Sequence, residues 1–242
     1  MNAPTARLAA SVTLALTLSA CGEDAAPPAP PATVTVTSTP TAQEASTPQQ
    51  QELSVQQIRK ALPTLDEAPK GFPEDPGGFD ATTPSERTTE PQSCLALYLD
   101  TPEMRSFGTD HRTRADGVRY TRAPVGPGQP SISFAIWSHD EPYPTRFFDE
   151  AGAALADCSS FSAASTPGGS QQTWTATTIP TPPIGDRSFG VRIGTRDVDV
   201  AIDYLWVRSG HNLINVRMLT GFRQDNEDHL EKYAKGILED LD

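Results

Sequence analysis

Between residues 22 and 52 the chain has no aromatic residue, and Val34 and Val36 are its only large apolar side chains. Such a stretch cannot bury enough apolar surface to offset the entropy lost on ordering, so any core must come from the residues that follow. Its Pro, Thr and Ala content reads as a disordered, partly polyproline-like tether over residues 21–52. The Ser and Thr density also suits O-glycosylation, although a bare solvated linker is the simpler reading. What remains, residues 53–242, has the length of one good-sized domain.

Ahead of the tether, Arg7 is followed by an uncharged run over residues 8–20 and then by Cys21. This is the layout of a signal peptide, assigned here to residues 1–20. As a helix the run spans roughly 20 Å, short of a bilayer core of about 30 Å, so it is not a permanent transmembrane span. Leu18, Ser19 and Ala20 before Cys21 resemble the lipobox of bacterial lipoproteins. That resemblance implies cleavage before Cys21, a diacylglycerol on its sulfur, and a lipid-anchored protein on the extracytoplasmic face of the cell membrane. Two acyl chains hold a protein on a membrane stably, where one binds only marginally. The membrane, reached through Cys21, is thus one expected partner. The competing reading is an ordinary secretory signal with a chance cysteine. With 19 basic against 31 acidic residues and a formal charge of −12, the chain lacks the basic surface that nucleic acid requires.

Within the domain, Ser54 is a candidate N-cap for a short helix that Pro63 ends. Residues 70–91 read as a loop with an edge strand near residues 79–83, and residues 94–104 as a second helix. Alternating apolar residues predict strands at 117–122 and 131–138 joined by a Gly- and Pro-rich hairpin loop. A helix follows at 144–158, its stripe running from Phe147 to Cys158. Four more strands are predicted at 173–179, 188–193, 198–208 and 213–220. In the third, Val198, Val200, Ile202, Tyr204 and Trp206 share one face, while Asp197, Asp199 and Asp203 share a face read as solvated. A three-residue loop, Gly210 to Asn212, is expected to set Trp206 opposite Val216 and Tyr204 opposite Met218. Leu230, Tyr233, Ala234, Ile237, Leu238 and Leu241 define a terminal amphipathic helix with Asp225 as its N-cap. Neighbouring strands with short turns imply an α+β domain, mainly antiparallel sheet with helices packed on it.

With Cys21 acylated, Cys94 and Cys158 remain, and in an oxidising compartment they are expected to pair, a gain of about 4 kcal/mol for so long a loop. A reactive or metal-binding pair is the alternative. His111, His139, His211 and His229 are scattered and read as surface residues. No G-x-S-x-G, H-E-x-x-H or phosphate-loop motif occurs, so no catalytic, cofactor or metal residues are assigned. Arg187, beyond an Ile184-Gly185-Asp186 turn, and Trp174 are the candidates for a ligand cleft.

The order Trp174-Thr-Ala-Thr, Pro183-Ile-Gly-Asp186-Arg-Ser-Phe and Leu205-Trp-Val-Arg208-Ser-Gly-His-Asn212-Leu-Ile, followed by the last helix, is similar to actinobacterial lipoproteins with a sensor domain like that of the mycobacterial receptor kinase PknH. The resemblance implies an antiparallel sheet and helices around a ligand cleft, without catalytic activity. This chain has one candidate disulfide where the kinase domain has two. The expectation is a non-enzymatic binding or sensing domain for a small ligand or a cell-envelope protein. An exported hydrolase with a dispersed site, or a carrier of apolar molecules, are the alternatives.

Overall fold

The computed structural model describes residues 47–123 and 129–242. Expectations for the signal peptide, Cys21 and the tether up to residue 46 fall outside these residues.

The described residues open with a 3₁₀ turn, Pro48–Gln50, and continue through α1 (Val55–Ala61), β1 (Thr88–Glu90), a 3₁₀ helix (Gln92–Tyr98) and α2 (Pro102–His111). The hairpin β2 (Arg112–Thr121) and β3 (Ser131–His139) leads to α3 (Arg146–Asp157). Then come β4 (Ser160–Ala164), β5 (Gln172–Thr178), β6 (Arg187–Thr195), β7 (Val200–Ser209), β8 (Asn212–Thr220) and α4 (Glu227–Leu241). One eight-stranded sheet runs in the order β1-β4-β5-β6-β7-β8-β3-β2, with every pairing antiparallel. The predicted α+β class is the one observed.

Local chemistry explains several boundaries. Ser54 and Gln57 form a reciprocal capping box at the start of α1. The single helix expected over residues 94–104 is two, because Pro102 lacks the N–H that a helix interior needs. Leu99 turns left-handed, with φ 49°, to end the 3₁₀ helix, and Thr101 caps α2 with Pro102 in its first turn. At α4 the N-cap position is Asn226 and not Asp225, whose carboxylate instead accepts from the Glu227 N–H.

The sheet is covered on both faces. On one side α1 and α4 pack through Ile58, Leu230 and Ile237 onto Phe134, Leu205, Val207 and Val216. On the other, α2, α3 and the 3₁₀ helix bring Leu97, Met104 and Phe147 against Val191, Tyr204, Trp206 and Leu213. Leu205 and Val207 alternate with Tyr204 and Trp206, so each flank of β7 feeds a different core. This corrects the expectation of a solvated strand face. Asp203 is 1% exposed, held by Arg192 through Nε and Nη2 at 2.7 Å each and by the Asn226 amide at 2.7 Å. Asp197 and Asp199 lie in the turn before β7, where Asp199 accepts from the Phe222 N–H.

Cys94 and Cys158 are disulfide-bonded across 64 residues, tying the 3₁₀ helix to the end of α3. Residues 47–52, expected in the tether, are docked on the turn between β7 and β8. His211 N–H donates to the Gln50 carbonyl, and the Asn212 amide donates to the carbonyls of Gln49 and Gln51.

Candidate ligand-binding cleft

The turn between β7 and β8 contains two residues, Gly210 and His211, since Ser209 pairs with Asn212. Gly210 has φ +55°, and a Cβ there would lie 2.0 Å from the Gln50 carbonyl oxygen, so the position requires glycine. This overturns the expected three-residue loop. Tyr204 now stands opposite Arg217 and Trp206 opposite Asn215, while Leu205 faces Val216. A one-residue change in register exchanges faces. Here it gathers Tyr204, Trp206, Leu213, Asn215 and Arg217 on the side away from α4, where they floor a cleft of about 430 Å³. That volume is within the usual range for small-molecule sites.

The walls are α2, the β3 residues Trp137 and His139, Tyr143, and the loop from Phe79 to Arg87. Gly117 admits this loop, because a Cβ there would meet the Phe79 ring at 2.6 Å. The loop is anchored at intervals. Trp137 Nε1 donates to the Ala81 carbonyl at 2.7 Å and Arg112 to that of Thr82 at 3.1 Å. Arg105 reaches the Arg87 carbonyl at 2.7 Å, and Ser85 donates to Asp100 at 2.6 Å.

Aromatic faces dominate the interior. The Tyr204 and Trp206 rings are parallel within 1° at 6.1 Å between centroids, Trp137 is 6.0 Å from Trp206, and Tyr98 meets Tyr204 edge-on at 5.6 Å. Burial pushes the hydroxyls of Tyr143 and Tyr98 well above the usual phenol range, the latter with help from its neighbour Tyr204. His139, expected at the surface, is 2% exposed. Desolvation lowers its pKa to about 4, against a smaller opposing effect of its bond to the His211 carbonyl.

Among the described residues, four buried side-chain polar atoms have no hydrogen-bond partner. Three of them, Tyr204 Oη, Trp206 Nε1 and Arg217 Nε, belong to residues that floor this cleft. Leaving such groups without a partner costs about 1–3 kcal/mol each, and three of the four are concentrated beneath this one cleft. A groove of about 560 Å³ between α4 and the segment after α1 is larger, but none of the four atoms lines it.

Neither sequence-based cleft candidate is among the residues that line this cleft. Arg187 starts β6 and pairs with Asp149 of α3. Trp174 of β5 packs half-buried at the margin of the second core. Asp186, read as part of a turn, binds Arg208, the Gly210 N–H and the Gln50 side chain together. Among the described residues, no group of three or more His, Cys, Asp or Glu could hold a metal ion, and no helix is long and apolar enough to cross a membrane.

Comparison with solved structures finds the extracellular domain of PknH from Mycobacterium tuberculosis, at 13% identity and a TM-score of 0.57, covering 79% of this chain and 98% of that one. The chain shares the fold of that domain. The Rv0999 ortholog from Mycobacterium smegmatis matches at 12% identity and a TM-score of 0.39, over 78% of this chain and 97% of that one, a likeness that carries no argument. No family model matches the sequence, and no curated protein does.

Proposed function

We propose that this chain is an exported lipoprotein, anchored to the extracytoplasmic face of the membrane through lipids on Cys21, whose domain binds a small ligand without catalysing a reaction. The observation that carries the binding reading is the set of three unpartnered polar atoms beneath one aromatic cleft. A receptor kinase's extracellular domain with the same fold fits a sensing role on the outer side of the membrane. A carrier of purely apolar molecules is less well supported, because its ligand would leave those polar groups unpaired. The hydrolase alternative has less support: His111 pairs with Asp140 at 3.0 Å and His139 with the His211 backbone carbonyl, but among the described residues no Ser, Thr or Cys side chain is hydrogen-bonded to a histidine as an activated nucleophile would be.

Two measurements test the proposal. Cys21→Ser should move the protein from the membrane fraction to the soluble fraction and abolish incorporation of labelled palmitate; persistence of both would refute the anchor. Native mass spectrometry of protein purified from its own host should show a retained small molecule that Trp206→Ala loses. Equal added mass in protein and variant would place the ligand elsewhere.

A further inference from the structure

Resting on the reading of this cleft as a binding site, we infer that its ligand is a small planar carboxylate, an aromatic acid, gripped side-on by Arg217 with its ring among the tryptophans.

The first argument concerns hydrogen-bond polarity. Trp206 Nε1 and Arg217 Nε can only donate, so whatever completes them must present acceptors. A neutral ligand with a hydroxyl or a carbonyl would meet that condition, and charge separates the cases. The lining carboxylates are already engaged. Asp100 is gripped by Arg105 and Ser85, and Asp80 accepts from Thr82 and Thr83 of its own loop. Arg217 and Arg87 have no carboxylate partner among the described residues, and each lies against a tyrosine ring, Tyr204 at 5.8 Å and Tyr98 at 3.9 Å. Arg112, which also lines the cleft and donates to the Thr82 carbonyl, has no carboxylate partner among the described residues either, so a chain of net charge −12 keeps three such guanidinium groups in this cleft.

The geometry of the other arginines narrows the anion. Arg105 holds Asp100, and Arg192 holds Asp203, each through Nε and Nη2 on the two oxygens of one carboxylate. Both pairs use the planar fork that matches two coplanar oxygens. Arg217 carries the same Nε donor, buried and without a hydrogen-bond partner. A carboxylate fills that position as Asp100 and Asp203 fill theirs. A phosphate can take the same fork, and phenyl phosphate is therefore the competing anion in the test. A flat body follows from Trp137, Trp206 and Tyr204, whose faces favour an aromatic ring over a branched chain. The three unpartnered atoms are closed off from solvent. A ligand reaching them must displace the side chains above, so binding changes the surroundings of the Trp206 indole.

The test titrates benzoate, 1-naphthoate and indole-3-acetate into the full-length lipidated protein in detergent micelles, each beside its neutral primary amide and beside phenyl phosphate. Tryptophan fluorescence and melting temperature are followed. The carboxylates should give a saturable fluorescence change and a raised melting temperature, with amides about tenfold weaker or worse for want of the charged bond. Arg217→Lys keeps the charge but loses the fork, and should weaken the carboxylates about tenfold. Trp206→Phe, which removes the N–H and keeps a ring, should weaken them severalfold, and Arg187→Lys should bind like the parent. Amides equal to acids, phenyl phosphate tighter than benzoate, or an Arg217→Lys variant that binds normally would each overturn the carboxylate while leaving a binding cleft in place. If no probe binds and the host-purified protein carries no added mass, both the inference and the broader reading fall.

Discussion

His139 packs between the rings of Phe107 and Tyr143, at 5.3 Å from each, and its Nδ1–H donates to the His211 carbonyl at 2.9 Å. Arg112 and His111 add to the desolvation that disfavours its charged form, while Asp140 opposes it. With a folded pKa of about 4 against an ordinary 6.5, the unfolded chain binds the extra proton between those values. Stability from this group is therefore fully present above pH 6.5 and lost as the pH falls towards 4, on the order of 3 kcal/mol. Urea midpoints followed across that window should fall for the parent and stay flatter for His139→Gln. Carboxylates such as Asp80, held near pKa 2 by Thr82 and Thr83, act only at lower pH. Asp203 makes a second prediction at this scale. Asp203→Ala removes the carboxylate shared by the Arg192 guanidinium and the Asn226 amide, leaving the partly buried cation unpaired, and should cost about 3 kcal/mol in denaturant unfolding. Neither residue announced itself in the sequence. A lone histidine or aspartate in a strand is read as solvated unless the far face of the sheet is known to be covered, and only the placement of α2 and α3 shows that it is.

At the level of elements, α3 and α4 were legible because their apolar residues recur at helical spacing, and α1 through its Ser54 cap and the Pro63 that follows it. The strands β3 and β5–β8 were legible through alternation and β-branched content. β4 was missed, since Ser-Phe-Ser-Ala-Ala offers few large side chains, and β1 has only three residues. The doubly covered sheet did leave a trace: Tyr204-Leu205-Trp206-Val207 is an unbroken apolar run, the pattern of a strand buried on both sides. The cleft was less legible, because its floor depends on a one-residue difference in turn length. Yet two signals pointed to it. Arg217 interrupts an apolar strand, and the long segment without helix or strand between α1 and β1, residues 62–87, is of the kind that usually serves function. Gly210→Ala tests the turn. The added methyl would strain a left-handed residue by about 1–2 kcal/mol and collide with Gln50. Hydrogen exchange of the His211 amide, which donates to Gln50, should become much faster.

For the molecule as a whole, the Cys94–Cys158 bond closes 64 residues that include α2, β2, β3 and α3. In the chain-entropy description such a crosslink stabilises by about 4 kcal/mol, so reduction or the double Cys→Ser variant should lower stability by about that amount in equilibrium unfolding. The loss should also loosen the wall of the cleft, because the 3₁₀ helix that carries Tyr98 would be freed from α3. The fold class and the pairing of the cysteines were readable from order, spacing and compartment. The position of the cleft was not, for it is assembled from five separate parts of the chain. The docking of Gln49, Gln50 and Gln51 on the corner between β7 and β8 has a mechanical consequence. A pull arriving at Thr47 is borne first by His211 and Asn212, ahead of α1. The strands that such tension would reach soonest are the two carrying Trp206 and Arg217, so on the proposed tether and cleft a pull and a bound ligand would act on the same pair of strands.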